Sequence, residues 1–137
     1  MYNSFKDIPH FHASSYRIDV PFAHLHTVLD YYTKEYDLNI TRDSKSETVW
    51  NIEQQRKYVE FCLYGGGKRN IIFNYTCFES KPKMVLIHGK QRLNAVTMFM
   101  DNKIKVFGKF LNEYSDNLPP LLSLNFTVTK LNSKEDG

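Results

Sequence analysis

The residues best suited to chemistry are His88-Gly89-Lys90-Gln91-Arg92, where an imidazole, an ammonium, a carboxamide and a guanidinium flank or follow one glycine. Before them stands an apolar run, Met84-Val85-Leu86-Ile87, and after them Leu93, Val96, Phe99 and Met100 recur at helical spacing. The pattern predicts a strand buried on both faces, a tight turn and a helix. The first turn of a helix leaves main-chain N–H groups unpaired and carries partial positive charge, so Lys90 and Arg92 work against the macrodipole there. An anion would remove the conflict. Gly89 would let a phosphate approach the main chain, Arg92 would grip it through two N–H groups, and Lys90 would act as a point charge. The candidate phosphate-binding set is therefore Gly89, Lys90, Gln91 and Arg92. The competing reading is a solvated turn whose cations point away from the axis.

A second basic segment, Gly65-Gly66-Gly67-Lys68-Arg69, is glycine-rich without the spacing of a P-loop. Lys68 and Arg69 are accessory candidates for contact with a nucleic-acid backbone, against a plain solvated connection. Cys62 and Cys77 stand among apolar or aromatic neighbours with no C-x-x-C pair, which makes them reduced core thiols. His10-x-His12 and His24-x-His26 lack acidic or thiol partners at ligand spacing, so no metal site is assigned.

Several elements must position these residues. Tyr16, Ile18 and Val20 alternate with Ser15, Arg17 and Asp19 as a half-buried strand, and Pro21 opens a helix with Leu25, Val28, Leu29, Tyr32 and Tyr36 as its apolar stripe. Residues 37–48 are polar and read as a loop. Asn51 with Gln54 forms a capping box, predicting a helix from about Ile52 to the glycines, with Tyr58, Val59, Cys62 and Leu63 inward. Strands are predicted at 70–75 and 103–107, with a loop over 76–82. Leu122, Leu124, Phe126 and Val128 alternate with polar residues in a further strand after Pro119-Pro120. Such an order implies one α+β or α/β domain over residues 1–131, with a small mixed sheet and about three helices, and a polar frayed tail at 132–137.

The run Val85-Leu86-Ile87-His88-Gly89-Lys90-Gln91-Arg92-Leu93, with Lys103-Ile104-Lys105-Val106-Phe107-Gly108 beyond it, resembles the "DGQQR" domain of the ParB/sulfiredoxin-like superfamily. It is more closely similar to phage relatives of the N-terminal domain of GmrSD-type restriction enzymes. Val49-Trp50, Gln54-Gln55, Tyr58 to Gly66 and Ile72-Phe73-Asn74 match that pattern upstream, so the likeness runs from about Ile8 to Gly108. It implies a compact α+β fold with a phosphate-binding turn at a helix N-terminus. It also brings Gln55 and Glu60 toward the shared pocket. Two positions depart from the family pattern: His88 replaces its acid, and Ser46 stands where an arginine is expected, with Lys45 or Arg42 as neighbouring sources of charge.

The resemblance implies a protein that binds phosphate, a nucleotide or DNA, with DNA nicking or nucleotide hydrolysis as the chemistry if catalysis survives. Arg92 would then stabilise phosphoryl charge, His88 would serve as a base near neutral pH, and Glu60 would supply the carboxylate. No cofactor is specified by the residues; the family chemistry would use a nucleotide with Mg or Mn. The alternative is a catalytically degenerate inhibitor that binds a host protein or nucleic acid.

Composition bounds these readings. The 137 residues are 42% hydrophobic and 15% aromatic, enough for one core, and a net charge of +3 permits a polyanionic partner without requiring one. With no apolar run of membrane-spanning length and no signal-peptide pattern, the expectation is a cytoplasmic protein without a membrane partner.

Overall fold

In a computed structural model, which describes residues 3–5, 14–40, 49–78 and 81–131, the chain forms a four-stranded mixed sheet and three α-helices. The α+β expectation holds. The strands β1 (Ser14–Pro21), β2 (Asn70–Phe78), β3 (Lys81–His88) and β4 (Ser123–Lys130) lie in the order β1-β4-β2-β3. β4 runs antiparallel to β1 and parallel to β2, and β2 forms an antiparallel pair with β3.

Burial alternates along β4, with Leu124, Phe126 and Val128 buried and Asn125, Thr127 and Thr129 half-exposed, as period-two geometry requires. Ile71 and Phe73 in β2 and Met84 and Leu86 in β3 join them in one core. α1 (Leu25–Tyr36) lays Leu25, Leu29 and Tyr32 on this layer, and the Tyr32 ring stands 5.6 Å from that of Phe73. α2 (Ile52–Leu63) adds Val59 and Cys62, and α3 (Lys90–Met100) adds Leu93, Ala95, Val96 and Phe99.

Four expectations need correction. β3 is an edge strand, not one buried on both faces: Met84 and Leu86 are buried, while Ile87 is 46% exposed. Its outer edge is partly covered by the segment after α1, where the N–H of Asn39 donates to the carbonyl of Met84 at 3.0 Å. Residues 103–107 do not form a strand. Ile104 and Val106 are buried, but the main chain pairs with itself in a Val106/Lys109 bridge. Most of the loop expected at 76–82 is strand, since β2 continues to Phe78, β3 begins at Lys81, and these two residues pair. Between Pro21 and α1 the chain makes a 3-10 turn over Phe22–His24 instead of entering the α-helix directly.

Ser46, Lys45, Arg42, His10, His12 and the tail 132–137 lie outside the described residues, as does the side chain of Cys77.

Candidate functional site: a basic turn between two helices

α3 begins at Gly89, whose φ of 96° places it in the left-handed region that L side chains rarely adopt. A Cβ there would stand 2.7 Å from both the Asn70 carbonyl oxygen and Ile71 Cδ1. The glycine thus lets the first turn of α3 press against the start of β2. No acidic residue lies in that turn, and Gly89 brings no capping side chain.

Across this contact Arg92 donates through Nη1 to the Asn70 carbonyl at 3.0 Å. Asn70 directly follows Lys68 and Arg69, so the two basic segments, some twenty residues apart in sequence, meet at one end of the sheet. Arg69 is spent internally. Its Nη2 donates to Cys62 O at 2.9 Å and Gly66 O at 3.2 Å, its Nε donates to Gly66 O at 3.3 Å, and its Nη1 reaches Ser123 O at 3.5 Å. It ties the end of α2 to β4. Arg92 makes a single such bond, which leaves donors of its fork unspent by that contact. Among the described residues neither guanidinium is paired with a carboxylate. Lys68 is exposed, its carbonyl receiving the Tyr58 hydroxyl.

Beneath the turn lie Tyr58 and Cys62, one helical turn apart on α2. Burial pushes the Tyr58 hydroxyl upward from its ordinary range and the neighbouring Cys62 adds to this, while Arg92 and Arg69 pull in the opposite direction. Burial likewise raises the Cys62 thiol, offset in part by the Tyr58 hydrogen bond and by Arg69 and Arg92. Cys62 is a free, buried, protonated thiol, as expected for a core cysteine. The fields of both guanidiniums converge on this pair.

The remaining candidates fall in different places. Gln91 is only 7% exposed, and its Oε1 accepts the main-chain N–H of Trp50 at 3.0 Å, fixing the entry to α2. Gln55 is half-buried, and its Oε1 is buried without a hydrogen-bond partner among the described residues. His88 is exposed at the end of β3, and Lys90 is half-buried at the start of α3. Glu60 is not brought to the turn. Two positions from both Tyr58 and Cys62, it lies on another face of α2, and its Oε2 accepts the N–H of Phe107 at 2.9 Å.

Sequence reasoning missed Tyr58 and Trp50 as neighbours of the basic turn. The Tyr58/Cys62 spacing was a signal for the first; the ring contact between Trp50 and Tyr58, 5.4 Å between centroids, follows from tertiary packing alone. His26 bonds Asp101 at 2.7 Å, joining α1 to the end of α3. An apolar hollow of about 340 Å³ bordered by Leu63, Phe99, Leu111, Tyr114 and Leu118 contains no residue of either basic segment. No described helix is long and apolar enough to cross a membrane. Comparison with protein-family models, curated proteins and solved structures found no match.

Proposed function

We propose that the chain is a phosphate-binding protein of the nucleotide- or DNA-binding kind, with Arg92 as the principal anchor and Lys90, Lys68 and His88 contributing around it. The observation that carries the reading is the Arg92–Asn70 contact. It holds a guanidinium without a carboxylate partner, among the described residues, over an α3 first turn that has no acid and no capping side chain. Such a turn attracts anions through its N–H groups and dipole, and a guanidinium fork supplies paired donors. The likeness of residues 85–93 to the DGQQR motif of ParB/sulfiredoxin-like phage proteins points the same way and is part of the proposal.

Binding without turnover is the form that the geometry favours. The Glu60 carboxylate is engaged on Phe107, on a different face of α2 from the residues under Arg92, so His88, Arg92 and Glu60 do not form one constellation. Titration of a labelled duplex and of nucleotides across a salt series tests the reading. Binding should weaken steeply as salt rises, and Arg92→Ala should lower the slope of log K against log salt by about one. Arg92→Lys should restore part of the affinity but not the paired grip. Salt-independent binding, or Arg92→Ala protein that folds and binds as tightly as the parent, would overturn the assignment. Nucleotide hydrolysis or plasmid nicking with magnesium or manganese, abolished by Glu60→Gln, would overturn the restriction to binding.

A further inference from the structure

We propose that the outer face of the last turns of α2, together with the turn at 103–109, is a stacking platform for the bases of a single-stranded nucleic acid. The inference rests on the phosphate-binding reading above and extends it to a substrate class.

Phe61, Tyr64 and Phe107 are 58%, 80% and 45% exposed. The Tyr64 and Phe107 rings meet edge to face, with centroids 5.2 Å apart and planes at 73°. This exposure is built. Phe107 has a φ of 51°, a left-handed conformation that is unusual for a bulky residue. Three contacts from other elements hold its turn there: Glu60 accepts the Phe107 N–H, Arg56 Nε donates to Lys105 O at 3.0 Å, and the Tyr114 hydroxyl donates to Val106 O. Strain of this kind persists when the surroundings over-determine it, and it clusters at functional sites.

Charge selects the partner. Lys57, Lys103, Lys105 and Lys109 are exposed on the same two elements and the residues beside them. The carboxylates on these elements have partners of their own: Glu53 bonds Arg56 at 2.8 Å and stands 4.0 Å from the Lys57 ammonium, Glu60 accepts the Phe107 N–H, and Glu113 accepts the Phe110 N–H at 2.8 Å. What faces solvent is aromatic surface on elements that also carry exposed lysines, of which Lys105 and Lys109 lie over the Phe110 and Tyr114 rings at 5.4 and 5.8 Å from their centroids. Flat apolar faces joined by regular negative charge complement it, which is the chemistry of unpaired bases on a phosphate backbone; a duplex hides those faces. The surface also continues toward the basic turn. A Cβ on Gly66 would stand 2.3 Å from Phe61 Cε1, so the ring lies directly on the loop that carries Lys68 and leads to Asn70 and Arg92.

The test is fluorescence anisotropy with labelled dT15, its duplex with dA15, and a 15-unit abasic phosphate chain, on the whole protein. The wild type should prefer dT15 to the abasic chain by about tenfold or more, and Tyr64→Ala should lose roughly that factor. Phe107→Asn, which tolerates the left-handed main chain, should behave the same way, while Phe107→Trp should retain binding. Both losses should leave the salt slope unchanged, whereas Arg92→Ala should lower it. Equal binding of dT15 and the abasic chain, or full affinity in Tyr64→Ala and Phe107→Asn, overturns the platform and leaves the phosphate reading standing. Loss in the aromatic variants with none in Arg92→Ala overturns the phosphate anchor instead. Binding of duplex alone, or a protein partner lost in the aromatic variants while dT15 fails to bind, overturns the platform.

Discussion

The main-chain N–H of Trp50 donates to Oε1 of Gln91 at 3.0 Å, joining the residue before the α2 cap to the first turn of α3. The acceptor is almost fully buried, so the bond is shielded from water. Gln91→Leu would fill similar space and leave the Trp50 N–H without its acceptor, at a cost of about 1–3 kcal/mol. Urea unfolding followed by the emission of the single tryptophan should show the midpoint falling with the slope unchanged. A loss below about 0.5 kcal/mol would mean that water or another group replaces the carboxamide.

Gly89 and Gly65 offer a controlled comparison, because their φ angles are 96° and 97° but their surroundings differ. A Cβ at residue 65 meets nothing within 4 Å, whereas at residue 89 it meets the Asn70 carbonyl and Ile71. Gly65→Ala should cost only the left-handed conformation, about 1–2 kcal/mol. Gly89→Ala adds a collision with strand main chain that cannot give way, so about 3 kcal/mol or more is expected. Equal losses at the two sites would show that the approach of α3 to β2 does not depend on the missing side chain.

These two glycines also show what a sequence can reveal. Gly89 was legible as a turn because it stands between an apolar run and a helical period, and α2 was legible because Asn51 and Gln54 are neighbours. β4 was legible from alternation alone. The misreadings of β3 and of residues 103–107 share one cause: an apolar pattern reports which side chains can be buried, not what the main chain pairs with. Ile104 and Val106 are buried like strand residues, yet their segment is a turn. The edge position of β3 depends on β4, which arrives from far along the chain to lie between β1 and β2. At the site, the local part of the basic turn was visible. Its meeting with Asn70, the reach of Arg69 to Ser123 and the Gln91–Trp50 bond span residues 22, 54 and 41 positions apart, so nothing local announces them. The placement of Glu60 did have a signal, since helical period separates it from Tyr58 and Cys62.

The α2 cap predicts a reciprocal loss. Asn51 accepts the Gln54 N–H at 2.8 Å, and the Gln54 side chain accepts the Asn51 N–H at 3.0 Å. Asn51→Ala should cost about 1 kcal/mol, and Gln54→Ala less. Because the two bonds belong to one box, the double variant should lose less than the sum of the single losses, as equilibrium unfolding of all four proteins would reveal. Additive losses would show that the two bonds form independently.

The tyrosines set the alkaline limit. Burial, reinforced by the hydrogen bond with Tyr16, drives the Tyr32 hydroxyl far above its ordinary value of 10.0, and burial also raises Tyr58 and Tyr114. The Tyr31 hydrogen bond, followed by burial, pushes Tyr36 up to about 12. A group whose folded pKa is raised contributes stability that is fully present below its unfolded pKa and lost as pH climbs toward the folded value. Stability should therefore hold up to about pH 10 and decline from there past pH 12. The slope is at most about 1.4 kcal/mol per pH unit for each such tyrosine. Tyr32 is the most deeply buried of the four, so Tyr32→Phe should make the decline shallower while costing little at neutral pH. Urea midpoints measured from pH 7 to 11.5 on the parent and Tyr32→Phe decide the matter. Parallel curves for the two proteins would show that the alkaline loss arises elsewhere.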